Sequence, residues 1–351
     1  MHRSNKNKTD FYALMFKDAA IIFRLLTFKK VLNALKLHLS FWFSKAVQKE
    51  WHWGMPLHIS VEPTTSCNLR CPECPSGLRS FSRPTGMLQP ELLERIVNEL
   101  YPTLASINFY FQGEPYLNTN LETMIAYAVQ RKIYTAVSTN AHYLSTQRAE
   151  QTVKSGLHRL IISIDGNTQE TYEQYRVGGH LEKVIDGTRA IVAAKKNLGS
   201  VTPQIIFQFL VVKPNEHETE AILARAQELG VDEVRFKTAQ INDFENGHPL
   251  IPEQEGYSRY RKEADGRWHL KNKLSNGCWR MWQGCVITWN GSVVPCCFDK
   301  DARHTLGSMN KETITSLWKS DAYRSFRKQV LTHRRQIDIC ANCTEGTKVW
   351  A

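Results

Sequence analysis

Along residues 57 to 238, short apolar runs of β-forming residues alternate with stretches whose apolar positions recur at helical spacing. LHISVE leads to a helix from Gln89 to Leu100, ASINFYF to one around Leu121 to Gln130, and IYTAVS to one from Ser145 to Lys154. RLIISID at 159 to 165 precedes helical stretches near Gln169 to Arg176 and Leu181 to Lys196. IIFQFLVV at 205 to 212 precedes a helix from Glu216 to Leu229, and VDEVRFK closes the series. Strands separated by helices of crossover length predict a parallel sheet of right-handed βαβ units. Six units suit an open, partial (β/α)6 barrel better than a closed eight-unit one, so the fold class expected is α/β.

The chain on either side breaks this rhythm. Between 243 and 275 Asn246, Gly247, Pro249, Pro252 and Gly256 interrupt it, and a linker is expected over 246–277. From 278 to 351 a small unit follows, with a hairpin signal VITWNGSVVP turning at Asn290-Gly291 and a helical stretch from Thr313 to Leu331. It is too small for a large core and is expected to need a metal. Trp279, Trp282, Trp289 and Trp318 are expected to form its core rather than a substrate platform. Before the barrel, residues 1–56 form a basic amphipathic helical segment. Residues 11–50 set apolar side chains from Phe16 to Phe43 among lysines and Arg24 without Pro or Gly. Two readings stand for it. Its apolar face packs on the domain that follows, or it makes peripheral contact with an anionic membrane surface.

The sequence has 351 residues, 42% hydrophobic and 23% charged, which is globular composition. No apolar run is long enough to cross a membrane. The net charge of +11 is concentrated in residues 1–56, so no nucleic acid is expected as partner, since such enzymes spread basic residues over a working face. The nine cysteines fall into two clusters, Cys67, Cys71 and Cys74, then Cys278, Cys285, Cys296, Cys297, Cys340 and Cys343. An odd count so grouped, after a polar start without a cleavage site, argues for thiolates binding metal in a reducing, cytoplasmic setting.

Directly after the first strand, Glu62-Pro63-Thr64-Thr65-Ser66-Cys67-Asn68-Leu69-Arg70-Cys71-Pro72-Glu73-Cys74 spells C-x3-C-x2-C. Three thiolates on one loop leave one coordination position of a four-iron cluster open, whereas a structural zinc site closes with four ligands. Here the sequence resembles the radical S-adenosylmethionine (SAM) superfamily. The resemblance implies a 4Fe-4S cluster on Cys67, Cys71 and Cys74 that chelates SAM and cleaves it reductively to a 5′-deoxyadenosyl radical, which abstracts hydrogen from substrate. It implies SAM contacts at Gly113, Glu114 and Pro115, where Gln112 stands in place of the family's first Gly. It extends these contacts to Ser138 and Asn140 after the third strand, Ser163 and Asp165 after the fourth, and Arg176.

The segment Cys278 to Cys343 resembles the SPASM or twitch extension of that family, including Leu306-Gly307-Ser308 and the stretch Ser316 to Ser320. This implies one auxiliary 4Fe-4S cluster on Cys278, Cys296, Cys340 and Cys343, with Cys297 or Cys285 as substitutes; a zinc ribbon of the same four residues is the competing reading. The barrel is expected over 57–245. The resemblance also implies a one-electron reductant such as flavodoxin or ferredoxin, and a peptide, protein, sugar or cyclitol substrate. The rival from another class is a noncatalytic metal-binding scaffold, membrane-associated through its N-terminal helices.

Overall fold

Strands rich in Ile, Val and Phe, buried on both faces, are what a parallel sheet sandwiched between helices and its own interior requires. The computed structural model describes residues 19–271 and 274–344. In it β1 (His58–Val61), β2 (Ser106–Asn108), β3 (Tyr134–Thr139), β4 (Arg159–Ser163), β5 (Gln204–Val211) and β6 (Glu233–Thr238) pair side by side in chain order. Every one of these pairings is parallel. This is the expected open α/β barrel.

The crossover helices bury one stripe each. Helix α1 is Phe28–Val47, the short α2 is Pro75–Leu78, and α3 is Pro90–Leu100. Helix α3 buries Leu93, Ile96, Val97 and Leu100, the i, i+3, i+4, i+7 pattern of an amphipathic helix. Then follow α4 (Leu121–Gln130), α5 (Thr146–Lys154), α6 (Gln169–Tyr175), α7 (Leu181–Asn197) and α8 (Thr219–Leu229). Ser145 caps α5 by accepting a hydrogen bond from the Arg148 amide, and Gly230 ends α8 in the left-handed region.

Four sequence expectations change. The 246–277 stretch carries an antiparallel hairpin, β7 (Tyr260–Lys262) and β8 (Trp268–Leu270), whose Tyr260 is buried in a core with Leu69, Ile241 and Leu250. The stretch from Thr313 to Leu331 is two helices, α10 (Ile314–Trp318) and α11 (Asp321–Thr332), because Ser320 caps the second by accepting from the Tyr323 amide.

The C-terminal segment has no separate core. After α9 (Trp279–Gln283), β9 (Gly284–Ile287) pairs in parallel with β1, and β10 (Ser292–Val294) and β11 (Gly307–Ser308) extend the same nine-stranded sheet. Met281, Trp318, Tyr323 and Phe326 join the barrel's own hydrophobic cluster, so packing against the barrel holds this segment. Trp282 and Trp318 are fully buried, whereas Trp279 stacks on His38 of α1 and Trp289 lies against Gly86. A last short helix, α12, is Asp338–Ala341.

The fourth change concerns α1. It buries Lys30, Asn33, Leu37, Ser40, Phe41 and Ser44, and turns most of its apolar residues outward. The expected packing holds only for Leu37 and Phe41, which cluster with Trp282 and Leu331, and is reversed for the rest of the apolar face; residues 11–18 of that expectation lie outside the described part.

Candidate functional site

The loop leaving β1 is held from below by Glu62, which is completely buried. Arg83 donates to its two carboxylate oxygens at 2.8 and 2.6 Å, and the Trp289 amide donates at 3.3 Å. Burial pushes the Glu62 carboxyl up, and Arg83 opposes that shift. The chain then crosses the carboxyl ends of the strands, where Cys67, Cys71 and Cys74 line one cavity of about 270 Å³.

Two of the three sulfurs face hydrogen-bond donors. The Leu69 amide lies 3.5 Å and Asn140 Nδ2 3.9 Å from Cys67 Sγ, and Arg176 Nη1 lies 3.7 Å from Cys71 Sγ. Cys74 Sγ sits 3.9 Å from Gln112 Oε1. Burial pushes the Cys67 thiol up to about 12 and raises Cys71 against the opposing Arg176. Thiols so buried become thiolates when a cationic metal centre compensates for lost water.

Of the other expected positions, Gly113, Glu114, Ser138, Asn140, Ser163 and Arg176 line the same cavity. Pro115 instead opens a 3-10 turn behind the cavity wall. Gly113 has φ +74, and a Cβ there would stand 2.2 Å from the Thr64 carbonyl oxygen, so the cysteine loop and this turn touch backbone to backbone. Glu114 accepts from Thr139 Oγ1 at 2.6 Å, the Asn140 amide at 2.7 Å and the Tyr116 amide at 3.2 Å. Its carboxylate thus ties the ends of β2 and β3 together. Asp165 lies behind Arg176, accepting from its Nε at 2.5 Å and from the Leu210 amide at 2.6 Å. Burial works against the Arg176 charge, but Asp165 and Cys71 more than offset it, and its pKa lies well above the usual value.

Sequence reasoning missed several neighbours. Ser76 Oγ accepts from the Gly113 amide at 2.8 Å, and a Cβ on Gly77 would stand 2.6 Å from the Cys71 backbone. The Ser-Gly pair directly after Cys74-Pro75 was the available signal. Tyr175 and Lys300 also line the cavity, and nothing local in the sequence marks either.

A second cavity gathers the other cysteines. Cys278 before α9, Cys296 after β10, and Cys340 and Cys343 around α12 line it together with Arg334. Arg334 is buried, donates to the Gly277 carbonyl at 2.9 Å and lies 3.6 Å from Cys343 Sγ. Burial raises the Cys340 thiol, with Arg334 opposing. The alternatives lie elsewhere: Cys285 is buried in β9 beside Tyr323, and Cys297 Sγ faces Arg280 Nη1 at 3.5 Å.

Both donor sets fit iron–sulfur clusters. They are soft thiols with amide or guanidinium donors beside them. Among the described residues no three His, Cys, Asp or Glu side chains close on one point as a single ion requires; the thiols are spread around cavity walls instead.

Comparison with known proteins agrees. Residues 61–226 match the model of the radical SAM superfamily, and residues 278–344 match SPASM, an iron-sulfur cluster-binding domain. The chain belongs to the radical SAM superfamily and carries a SPASM domain. It is 21% identical over 290 residues to the S-adenosyl-L-methionine-dependent 2-deoxy-scyllo-inosamine dehydrogenase of Niallia circulans, covering 81% of this chain and 91% of that protein. It is 22% identical to the subtilosin biosynthesis protein AlbA of Bacillus subtilis, covering 76% of this chain and 60% of that one. Among solved structures, Streptococcus suis SuiB bound to S-adenosylmethionine superposes with a TM-score of 0.61 at 15% identity, over 84% of this chain and 73% of that one, a likeness of fold. The protein is therefore an enzyme of the oxidoreductase or maturase type whose cofactors are a 4Fe-4S cluster, SAM and auxiliary iron–sulfur. No helix among the described residues is long and apolar enough to cross a membrane.

Proposed function

We propose that this enzyme carries out a two-electron oxidation of a hydroxyl- or thiol-bearing substrate, with Cys67, Cys71 and Cys74 holding the radical-generating cluster and Cys278, Cys296, Cys340 and Cys343 holding one auxiliary cluster. When bound, the first cluster and SAM supply the one-electron cleavage that makes hydrogen abstraction from carbon accessible. The observation that carries the reading is the sorting of the cysteines: three line the cavity at the strand ends, and four from three separate segments line another.

The chain's own residues have distinct tasks around the first cavity. Arg176, held charged by Asp165, offers a cation to a carboxylate and a donor to the Cys71 sulfur. The backbone N–H of Asn140 donates to the Glu114 carboxylate, which orients the residue to present its side chain to Cys67 and Asn68. Ser138 and Ser163 supply short hydroxyls at the ends of β3 and β4, and Gly113 lets the cysteine loop seat directly on the β2 turn. Substrate oxidation leaves one electron and one proton to dispose of after hydrogen abstraction; a cluster held by Cys278, Cys296, Cys340 and Cys343 would supply an acceptor for the electron, and a base would take the proton.

The substrate class has two supported forms. The cyclitol dehydrogenase, with which this chain shares nearly its full length, favours a small polyhydroxylated molecule. The subtilosin protein and the complex of SuiB with its precursor peptide favour a peptide or protein side chain. The electron donor is a flavodoxin- or ferredoxin-type protein. The test is 5′-deoxyadenosine formation by anaerobically reconstituted protein given SAM and a strong reductant. Formation is expected; none, with iron bound at both sites and each substrate class supplied, would leave the metal-binding scaffold as the reading.

A further inference from the structure

Helix α1 is inside out. Its buried side is largely polar and is fastened by specific bonds: Lys30 Nζ donates to the Lys132 carbonyl, Asn33 exchanges bonds with both backbone groups of Met55 at 2.9 and 2.8 Å, Ser40 Oγ accepts from Trp282 Nε1 at 2.9 Å, and Ser44 Oγ donates to the Trp51 carbonyl at 3.0 Å. Its outer side carries Phe28, Val31, Leu35, Leu39, Trp42 and Phe43, with Phe28 81% and Leu39 62% exposed. Of the twenty large apolar side chains exposed among the described residues, thirteen fall between Ile22 and Trp53. Burying polar groups while exposing apolar ones reverses the usual economy of a surface helix, so the apolar face has an occupant of its own.

Charge selects that occupant. Lys29 and Lys36 flank the apolar arc on one side and Lys45 on the other, and no acidic residue occurs from Ala19 to Lys49. Two copies meeting through this face would set lysines against lysines. Phe43 continues the patch to Trp51 and Trp53, at ring distances of 5.5 and 6.2 Å. Those tryptophans border a cavity of about 480 Å³ that also presents Lys319 and Arg324, the latter paired at 3.4 Å with the Glu50 carboxylate, which lines the same cavity. An apolar strip about 30 Å long, edged by lysines and ending in tryptophans beside the exposed Lys319, matches the layers of a bilayer interface: acyl chains, an aromatic belt and anionic headgroups.

We propose that α1 with Trp51 and Trp53 docks this enzyme on an anionic phospholipid surface, with Lys319 facing lipid phosphates. The partners of α1's buried side, Met55, Lys132 and Trp282, precede β1, β3 and β9, at the amino ends of the strands. The cysteine cavity opens at the carboxyl ends. The docked enzyme therefore turns its mouth to the aqueous side and takes its substrate from there.

The test is co-sedimentation of the full chain with vesicles of phosphatidylcholine alone and of phosphatidylcholine with phosphatidylglycerol. Binding to the anionic vesicles, weakened by salt, is expected. The exposed-face variant Leu35→Ser/Leu39→Ser/Trp42→Ser loses about tenfold per side chain, and Lys29→Gln/Lys36→Gln loses about fivefold per charge on anionic vesicles only. Circular dichroism and 5′-deoxyadenosine formation confirm that each variant is folded. Failure of the parent protein to bind, undiminished binding by the triple variant, or a lipid-free dimer that the triple variant dissolves would each overturn the proposal. The first and last results would give the face to something other than lipid.

Discussion

The two cysteine sites are built in opposite ways. At the barrel mouth all three thiols come from one eight-residue stretch, and the rest of the fold converges on it: Asn140 after β3, Arg176 after α6, Gly113 after β2. In the C-terminal segment the thiols themselves are dispersed over three segments, and one buried side chain, Arg334, faces them. The first site keeps its ligand spacing locally and obtains its electrostatics from afar. The second obtains its ligand geometry only once the tertiary structure is complete. Damage at the first should therefore be chemical, and damage at the second architectural.

The sharpest way to break this comparison is ligand removal. Cys71→Ala should lower SAM cleavage to background, whereas Cys343→Ala should retain 5′-deoxyadenosine formation and lose oxidised product; full turnover by either variant, read by chromatography of both species, would refute the corresponding assignment. Next in size are the two arginines. Arg176→Met should lower the cleavage rate by about 10- to 100-fold, as loss of a partner beside a metal ligand does. Arg334→Met should leave that rate intact and lower iron bound per chain, measured by iron content and absorbance.

Gly113→Ala probes the backbone contact between the two mouth loops. The strained φ and the approach to Thr64 should cost about 2–4 kcal/mol in urea unfolding, with no comparable penalty for Gly266→Ala beyond its own positive φ, since nothing lies within 4 Å of that position. The smallest effect concerns pH. Burial, then Arg327, lowers His52 to about 3, and burial, then Arg280, lowers His58 to about 4, both from 6.5. Below pH 6.5 the unfolded chain takes up protons that these folded-state histidines refuse, so stability falls as pH drops toward 4, by up to about 1.4 kcal/mol per pH unit for each. Denaturant midpoints at pH 7 and 5.5 measure this slope, and His58→Asn should flatten it.

The strand ends and the first cysteine loop were legible because both are local: period-2 runs, helical spacing and one ligand motif. Asp165 and Glu114 were found by position, but their work was not, since a carboxylate bound to Arg176 or to Thr139 declares its partner only in space. The orientation of α1 was illegible for the same reason. Nothing near Lys30, Asn33, Ser40 or Ser44 indicates that Lys132, Met55, Trp282 and Trp51 await them. The break at Ser320 was present as a Ser-Asp helix start inside an apolar pattern that otherwise reads as continuous.

The pairing of Ile59 with Cys285 has a consequence for how the chain is made. On the ribosome β1 emerges early with one edge matched by β2 and the other bare, and it stays so until β9 is synthesised. An unpaired edge recruits wrong partners, and closing so long a loop is slow. The strand that carries the cysteine loop is thus among the last to be sealed. A chain stalled before residue 284 would have the complete C-x3-C-x2-C motif and an open seam beside it.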